Sequence, residues 1–454
     1  MTGHGRDIFW AYALSATRVA SWLVVYGTLY RRVGPDAAAL LALVRWTLGL
    51  LNYASAGLGP AILHYAAKGG EEGSGFRVQG SGETPTQSAI PSPRLIYRTG
   101  ISLSLIGAGV FTVALWTWVV VQGSARGVAP LVGLFGTGML IDLAADAWGA
   151  VVQSRGRIRN DYQAQTGLEI LWALLATTGI FLLPKLVGWQ TILGTSYLVA
   201  AILSAAIRAI LARQVFQSLP TQPETTPPRR LRRSRILPLS PDRAAARKLL
   251  TFGGLVVLAQ IADYLYAPTD FLLIRWLIDL KTVAVYAPAV QMDAGIWLLA
   301  SGLSTALLPM SATAFGKRDF ANLRRFYLQG TALSFVILLV LCILGWIAAP
   351  GLFRLWLGDK MKPTQQILPL VLIPTVIGGS AAVGRSILLA IGQVRAFTTA
   401  ALIAGVANVL LSYSFVRFAG LGLKGIILGT IVVVIARCAL WMPWYTLRSL
   451  RNLK

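Results

Sequence analysis

Residues Leu277–Arg325, LIDLKTVAVYAPAVQMDAGIWLLASGLSTALLPMSATAFGKRDFANLRR, contain the pattern that decides the fold. Between positions 283 and 315 the only formally charged side chain is that of Asp293, and an apolar run of this length predicts a membrane-spanning helix. The span is expected to bend, because four residues that weaken helices interrupt it: Pro288, Gly295, Gly302 and Pro309. A carboxylate inside such a span is energetically costly, which makes Asp293 a candidate functional residue.

The composition of the whole chain agrees with this stretch. Of the 454 residues, 56% are hydrophobic and only 13% are charged, and the mean hydropathy is +0.65. Soluble domains carry about 25% charged residues, so the composition predicts a polytopic membrane protein. The formal net charge is +24. Because basic residues of membrane proteins usually lie in cytoplasmic loops, we expect no nucleic-acid partner.

Apolar runs of roughly 20 residues, the length that crosses the hydrocarbon core, recur along the chain. They predict an all-α protein with about twelve spans, at 8–30, 36–64, 97–122, 128–152, 166–184, 189–213, 249–274, 283–312, 327–353, 364–391, 396–416 and 420–445. The first run is too long and too interrupted for a cleaved signal peptide, and we expect it to be the first span.

Two polar segments suggest the domain organisation. Residues 69–93 are rich in Gly, Ser, Thr and Pro and predict a flexible cytoplasmic loop within a six-helix lobe at 1–213. Residues 214–248 are rich in Pro and Arg and predict a cytoplasmic linker to a second six-helix lobe at 249–454. The arginine cluster of this linker is interpreted as part of a tether, and binding of anionic lipid or nucleic acid is the alternative.

Charge in the loops predicts the orientation of the chain. Most of the 41 Lys and Arg residues fall in loops on one side, and the segment from Arg208 to Lys248 contributes the largest share. Since positive loops face the cytoplasm, both termini are expected there.

The two halves also resemble each other. A shift of 245 positions superposes Gly57-Leu58 on Gly302-Leu303, each in an interrupted span followed by an inner loop. Six spans per half gives both halves the same orientation, which predicts a pseudo-twofold axis along the membrane normal. In transporters built this way, substrate binds in a cleft between the lobes.

Three tracts carry a resemblance to a known family: GLSTALLPMSATAFGKRDFANLRRFY at 302–327, GLFRLWLGDKM at 351–361, and LYRRVGPDAAALLALVRWTLGLLNYASAGLGPAILHYAA at 29–67. They resemble the Wzx-type lipid-linked oligosaccharide flippases of the multidrug/oligosaccharidyl-lipid/polysaccharide (MOP) superfamily. The resemblance implies a MATE-like fold in the cytoplasmic membrane, alternating access and a polyprenyl-pyrophosphate-linked glycan as substrate. It also implies a monomer that works beside a polysaccharide polymerase and glycosyltransferases.

Arginines inside the predicted spans are candidate substrate ligands. Arg18 lies roughly 15 Å into the first span, and Ser21 and Trp22 follow on the same face. Arg45 in the second span shares a face with Asn52. A guanidinium binds phosphate oxygens through two parallel hydrogen bonds, which suits a pyrophosphate. The alternatives are a structural ion pair or a side chain that extends to the interface.

Carboxylates in the spans are candidates for cation coupling. Asp142 and Asp146 lie one helical turn apart on the fourth span, where two neighbouring carboxylates would not both ionise easily. A proton or sodium site is one interpretation, and neutralisation of Arg18 or Arg45 is the other.

The second half contributes four further cleft candidates, Asp263, Asp293, Arg385 and Asn408. The shift of 245 positions places Asp263 opposite Arg18, and we expect these two to pair across the lobes in one conformation. Asp293 has the apolar Leu48 as its counterpart, so it is expected to set substrate or ion specificity, or to pair with an arginine such as Arg385.

Known catalytic motifs are absent from the sequence: there is no phosphate-binding loop, no HExxH zinc pattern and no nucleophile elbow. His4 and His64 lack metal-ligand spacing, so we expect no enzyme, cofactor or metal site. The favoured function is a flippase for a lipid-linked oligosaccharide. The alternative is a cation-coupled multidrug exporter of the same superfamily.

Overall fold

The structure is a computed structural model that describes residues 3–55, 57–68, 93–121, 128–183, 187–218, 241–265, 267–316, 320–358, 361–391 and 393–452. Its described residues are almost entirely helical, and the helices occupy the twelve predicted spans. The protein is therefore an all-α polytopic membrane protein, as its sequence predicts. The predicted loop at 69–93 and most of the linker at 214–248 lie outside the described residues.

The first six spans are formed by seven α-helices and two short irregular helices. They are α1 (Gly3–Arg32), α2 (Pro35–Leu48), a 3₁₀ segment (Gly49–Ser55), α3 (Leu58–Lys68), α4 (Pro93–Val121), a π segment (Leu131–Phe135), α5 (Gly136–Gln153), α6 (Ile158–Leu182) and α7 (Trp189–Ser218).

The second six spans are also interrupted. They comprise α8 (Arg243–Tyr264), α9 (Ala267–Leu277), α10 (Leu280–Gly316), α11 (Phe320–Leu357), α12 (Lys362–Ser380), α13 (Ala382–Ala390), α14 (Val394–Arg417), α15 (Gly422–Val434), a second π segment (Ile435–Trp441) and α16 (Met442–Arg451). Most of Leu277–Arg325 is thus one long helix, α10, and the last residues of this tract, from Phe320, begin α11.

Local sequence explains where the spans break. Gly57 has φ +62°, a left-handed conformation that glycine adopts without steric cost, and it separates the 3₁₀ segment from α3. Pro369 and Pro374 weaken α12 without ending it, because each removes one backbone hydrogen bond inside a helix that continues to Ser380. The four residues expected to bend α10 do not interrupt it, since it is one helix from Leu280 to Gly316. The bends themselves stay a prediction.

Eight stretches of the described residues are long and apolar enough to cross a membrane. They include Leu323–Leu357 and Pro93–Val121, which contain 18-residue windows with mean hydropathies of 2.8 and 1.9. Large apolar side chains are exposed along them, Val113 and Ile347 to 67% each, as expected for surfaces that contact lipid.

The described residues form two compact units. The first contains those of Met1–Ser21, Leu50–Phe76 and Gly82–Val257. Its core includes the buried side chains of Ile62, Tyr97 and Val151 from α3, α4 and α5.

The second unit contains those of Trp22–Gly49 and Leu258–Lys454. Within it the indole of Trp356 on α11 donates a 2.8 Å hydrogen bond to the carbonyl of Leu23 on α1. Packing therefore groups the second part of α1, together with α2, with the helices of the C-terminal half. The division into lobes at 1–213 and 249–454 stays a prediction.

Candidate functional site

Arg208 on α7 is the centre of a buried ion cluster in the first unit. Its side chain is 1% exposed, and its three nitrogens each contact a different carboxylate. Nε lies 2.7 Å from Asp161 Oδ1, Nη2 lies 2.7 Å from Asp146 Oδ1 and Nη1 lies 3.3 Å from Asp142 Oδ1. A guanidinium presents its donors in a rigid plane, so this arrangement holds α5, α6 and α7 in one register.

Helix geometry and one glycine make this convergence possible. Asp142 and Asp146 lie one turn apart on α5 and therefore face the same side. Gly149 follows on the same helix, and a Cβ built there would come within 2.5 Å of both Arg208 Nη2 and Asp161 Oδ1. Only a glycine leaves room for the ion pair at this position.

A ladder of polar side chains extends the cluster along α6. Asp161, Gln165 and Glu169 are spaced four residues apart, so they share one face of the helix. Asp161 Oδ2 accepts hydrogen bonds from Gln153 Nε2 at 2.6 Å and from Gln165 Nε2 at 2.9 Å. The carboxylate of Asp161, which is fully buried, is therefore bound by two amides as well as by Arg208.

Arg18 and Ser21 of α1 bind the far end of this ladder. Arg18 Nη2 donates to Gln165 Oε1 at 2.8 Å, and Arg18 Nε lies 3.4 Å from Glu169 Oε1. The hydroxyl of Ser21 donates to Glu169 Oε2 at 3.0 Å. We call the whole set the unit 1 network: Arg18, Ser21, Asp142, Asp146, Gln153, Asp161, Gln165, Glu169 and Arg208.

The unit 1 network has more carboxylates than cations. Its four carboxylates face two guanidiniums, which leaves a formal charge of −2 if all are ionised. The network is buried at Arg208 and Asp161 but accessible at Asp146 and Arg18, whose side chains are 46% and 47% exposed. Binding of a proton or a metal cation would lower the electrostatic cost of this excess charge.

Asp270 on α9 is the centre of a second polar cluster, in the second unit. It is 1% exposed, and its carboxylate accepts hydrogen bonds from Tyr286 Oη at 3.1 Å and Asn408 Nδ2 at 3.4 Å. The hydroxyl of Thr430 lies 3.1 Å from Asp270 Oδ2 and 3.0 Å from Asn408 Oδ1, and its single hydrogen can serve either acceptor. Among the described residues no Lys or Arg forms an ion pair with Asp270, so only neutral groups compensate its burial.

Asp293 on α10 is bound by a hydroxyl. Thr375 Oγ1 on α12 donates a hydrogen bond to Asp293 Oδ1. The alternative partner considered from sequence, Arg385, does not form an ion pair with Asp293 within the described residues. Arg385 instead packs on the ring of Phe397, with 5.3 Å between its Cζ and the ring centroid.

Arg45 on α2 packs against aromatic rings of the second unit. Its Cζ lies 3.8 Å from the centroid of the Trp22 ring and 5.9 Å from that of Trp46. Trp46 stacks in turn on Phe271, with 5.3 Å between ring centroids. A cation over an indole face gains about 0.5–2 kcal/mol, more when desolvated.

Comparison with known proteins identifies the fold. A family model described as MatE matches residues 256–414. An inward-facing multidrug resistance MATE family transporter of the MOP superfamily superposes with a TM-score of 0.67 at 16% identity, over 97% of this chain and 98% of that one. The chain has the MATE fold.

Two further structures agree with the MATE fold. An outward-facing MATE family transporter gives a TM-score of 0.65 at 17% identity, over 99% of this chain and 96% of that one. A MOP superfamily transporter from Pyrococcus furiosus, whose reversed pocket polarity is said to suggest a different function, gives 0.59 at 15% identity, over 99% and 96%. No match was found among curated proteins.

These comparisons confirm the MATE-like fold that was predicted for this chain. The flippase family named from the three sequence tracts stays a prediction, because the three structures described above are at most 17% identical to this chain and show the fold alone. Among the described residues, no group of three or more His, Cys, Asp and Glu side chains is placed to hold a metal ion.

Sequence reasoning found part of the unit 1 network and missed its centre. Asp142 and Asp146 pair with Arg208, not with Arg18 or Arg45. Arg208 was placed in the inner segment that ends at Lys248, whereas it lies ten residues before the end of α7 and is buried. Asp161 and Glu169 were also missed, although their spacing with Gln165 was a visible signal.

The side-chain positions of two residues predicted to bind substrate are not described. Those of Asn52 and Asp263 lie outside the described part of the structure, although their backbones belong to the 3₁₀ segment and α8. The expected pairing of Arg18 with Asp263 therefore stays a prediction. Asn408 lies in the Asp270 cluster and is fully buried.

Proposed function

We propose that this protein is a secondary transporter that moves a polyprenyl-pyrophosphate-linked oligosaccharide across the cytoplasmic membrane by alternating access. Proteins with the same fold have been solved in inward-facing and outward-facing conformations. The MATE fold and the MatE match at 256–414 support a transporter. Two observations support an oligosaccharide-linked lipid as the substrate. They are the polar side chains inside the spans and the resemblance of the three sequence tracts to lipid-linked oligosaccharide flippases.

Arg45 carries the proposal for the substrate. Its guanidinium lies over the indole of Trp22 at 3.8 Å, inside a predicted span. Stacking uses the face of the planar group, whereas its N–H donors lie at the edge, in the geometry that binds phosphate oxygens. The ring of Trp46, which stacks on Phe271 and is partly exposed, is an apolar surface of the kind that packs against sugar rings. A pyrophosphate joined to a glycan combines both chemistries.

The unit 1 network and the Asp270 cluster support cation coupling. The network has two more carboxylates than guanidiniums, and the described surroundings of Asp270 contain only neutral hydrogen-bond donors. Because the sequence contains no nucleotide-binding motif, an ion gradient is the expected energy source. Neutralisation of these carboxylates on one side of the membrane would bias the conformational equilibrium.

Leaflet exchange of a fluorescent lipid-linked oligosaccharide in proteoliposomes tests the proposal. The wild type should accelerate exchange over protein-free liposomes. Arg45→Gln should slow it roughly tenfold to a hundredfold, the loss expected from one charge-assisted hydrogen bond of about 1.5–3 kcal/mol. Arg417→Gln removes a cation from the exposed end of α14 and serves as the matched control. Wild-type exchange no faster than in empty liposomes would exclude the flippase.

The second candidate, a cation-coupled multidrug exporter, is favoured by the excess of carboxylates in the unit 1 network. Such an exporter should expel a cationic dye from the same proteoliposomes when a proton or sodium gradient is imposed. Dye efflux without glycolipid exchange would select this function over the flippase.

A further inference from the structure

One end of the first unit carries exposed arginines that the proposed transport function does not use. At this end α4, α5, α7 and α8 begin or end around one buried cluster, to which they contribute Tyr97, Val152, Val215 and Leu249. Six arginine side chains at these helix ends and at the start of α6 are exposed. We call them the arginine surface: Arg155, Arg157, Arg159, Arg213, Arg243 and Arg247.

Two polar contacts hold the helix ends together. Oη of Tyr97 on α4 lies 2.8 Å from Oγ of Ser154, at the end of α5. The backbone N–H of Asp242, at the start of α8, donates a 3.2 Å hydrogen bond to Oγ1 of Thr99 on α4. An arginine directly follows each of Ser154 and Asp242 in the chain. The arginines of the α5–α6 turn and of α8 therefore lie beside the same part of α4.

Acidic side chains do not compensate the arginine surface. The segments that form this end of the unit contain nine basic residues and only two acids. They are 93–100, 153–161, 211–218 and 241–250. One acid, Asp161, is fully buried and bound to Arg208. The other, Asp242, accepts a 2.8 Å hydrogen bond from the backbone N–H of Ala245 and so caps α8. Within the described residues, no member of the arginine surface forms an ion pair.

The exposed faces of two helices place arginines at the edge of the hydrocarbon. On α7, Ile207 and Ile210 are 49% and 59% exposed, and the exposed Arg213 follows three residues later on the same face. On α8 the exposed Arg247 lies three residues before Leu250, which is 44% exposed. Three residues of helix rise about 4.5 Å. Both arginines thus lie within one turn of apolar side chains that contact lipid, and their long side chains reach the headgroup layer.

Aromatic side chains of α1 agree with this depth. The Cζ of Arg159 lies 5.9 Å from the centroid of the Trp10 ring, and the neighbouring Phe9 is 57% exposed. Tryptophan is enriched where a membrane meets water. The start of α6 therefore lies at the same membrane boundary as the ends of α7 and α8.

We propose that the arginine surface binds the headgroups of anionic phospholipids on the membrane face predicted to be cytoplasmic. Each basic residue near a membrane surface strengthens the association with anionic lipid by about fivefold. An acidic protein is the other partner with this charge. Lipid is favoured because Arg213 and Arg247 lie within one turn of side chains that already contact the membrane. The surface rests on the membrane fold and not on the proposed substrate.

Fluorescence quenching beside Arg213 tests this surface in proteoliposomes. Bimane is attached to Ile210→Cys, one turn from the arginine, since the native Cys342 and Cys438 are buried. Brominated phosphatidylglycerol should associate with this position about fivefold more strongly than brominated phosphatidylcholine. Arg213→Gln/Arg247→Gln should remove most of that preference. About 1 M salt, which shortens the screening length to about 3 Å, should have the same effect without any substitution at the arginines.

Arg417→Gln/Lys424→Gln in the labelled protein is the matched control. It removes two exposed cations where α14 ends and α15 begins, in the second unit, and should leave the lipid preference unchanged. Equal quenching by the two lipids, or an unchanged preference in the folded Arg213→Gln/Arg247→Gln protein, would overturn the proposal. If that variant fails to fold, the salt dependence decides, because a preference that persists at about 1 M salt is not electrostatic.

A fluorescent polyglutamate peptide tests the other partner on the detergent-purified protein. Peptide binding without any lipid preference would overturn the lipid surface and assign the arginines to an acidic protein. Glycolipid exchange is not part of either measurement, so a failed flippase assay leaves both results unaffected.

Discussion

Arg208 is held by carboxylates from two neighbouring helices, and at the scale of the residue it is the most constrained charge in the described part of the chain. Asp161 is as deeply buried as Arg208, so neither has solvent to compensate for the loss of the other. Removal of one partner from a buried pair leaves an uncompensated charge, which costs more than the pair itself contributes.

Arg208→Gln should therefore lower the free energy of unfolding by about 3–5 kcal/mol. Thermal unfolding in detergent measures the effect, and Arg213→Gln, an exposed arginine on the same helix, should change little. Combining Arg208→Gln with Asp161→Asn should cost less than the sum of the single variants. Additive costs would show that the two residues do not interact.

Gly149 supports the same ion pair through its lack of a side chain. Gly149→Ala would place a Cβ 2.5 Å from Arg208 Nη2 and from Asp161 Oδ1, so we expect destabilisation of about 1–3 kcal/mol. Gly167→Ala on α6 is the control, because a Cβ there meets no heavy atom within 4 Å, and it should be neutral or slightly stabilising. Equal thermal shifts in the two variants would contradict the close approach.

At the scale of the element, the long helix α10 begins at a defined cap. The carboxylate of Asp279 accepts a 2.6 Å hydrogen bond from the backbone N–H of Thr282, in the turn that precedes the helix. Hydrogen bonds from the side chain and backbone of Thr282 hold the pKa of Asp279 below its usual range. The side chain lies in an exposed turn outside the span, so its carboxyl group can exchange protons with water.

Asp279→Ala should cost about 1 kcal/mol of stability at pH 7, the usual loss for an N-cap. Because the folded pKa is lowered, the stabilisation by Asp279 is present above the unfolded pKa of about 3.9 and is lost as the pH falls through the folded value. Asp279→Asn keeps an acceptor without the charge, so it should retain most of the stability and lose this acid-dependent part. Thermal unfolding between pH 7 and pH 3 separates these outcomes.

At the scale of the whole molecule, the proposed cation coupling requires a buried group whose charge can change. Asp270 is buried among Tyr286, Asn408 and Thr430, which are neutral hydrogen-bonding groups from three other helices. Its protonation or cation binding would change the charge of this cluster from −1 to neutral or positive. Such a change is large enough to shift the populations of two conformations.

Asp270→Asn should therefore leave a transporter whose rate no longer depends on the imposed proton or sodium gradient. The rate of glycolipid exchange or dye efflux is compared with and without the gradient. Asp36→Asn, an exposed acid in the first turn of α2, should keep the wild-type dependence. A gradient dependence that survives in Asp270→Asn would assign coupling to another group.

The sequence by itself determined the twelve spans and the all-helical fold, because the length of an apolar run and its Pro and Gly breaks are local properties that the bilayer selects. It also identified Asp142, Asp146, Asn408 and Asp293 as unusual polar residues within the spans. Only the tertiary structure decided their partners, since ion pairs such as Arg208 with Asp142 join residues on different helices. An arginine near the end of an apolar run has the same local pattern whether it faces the cytoplasm or the carboxylates of two neighbouring helices.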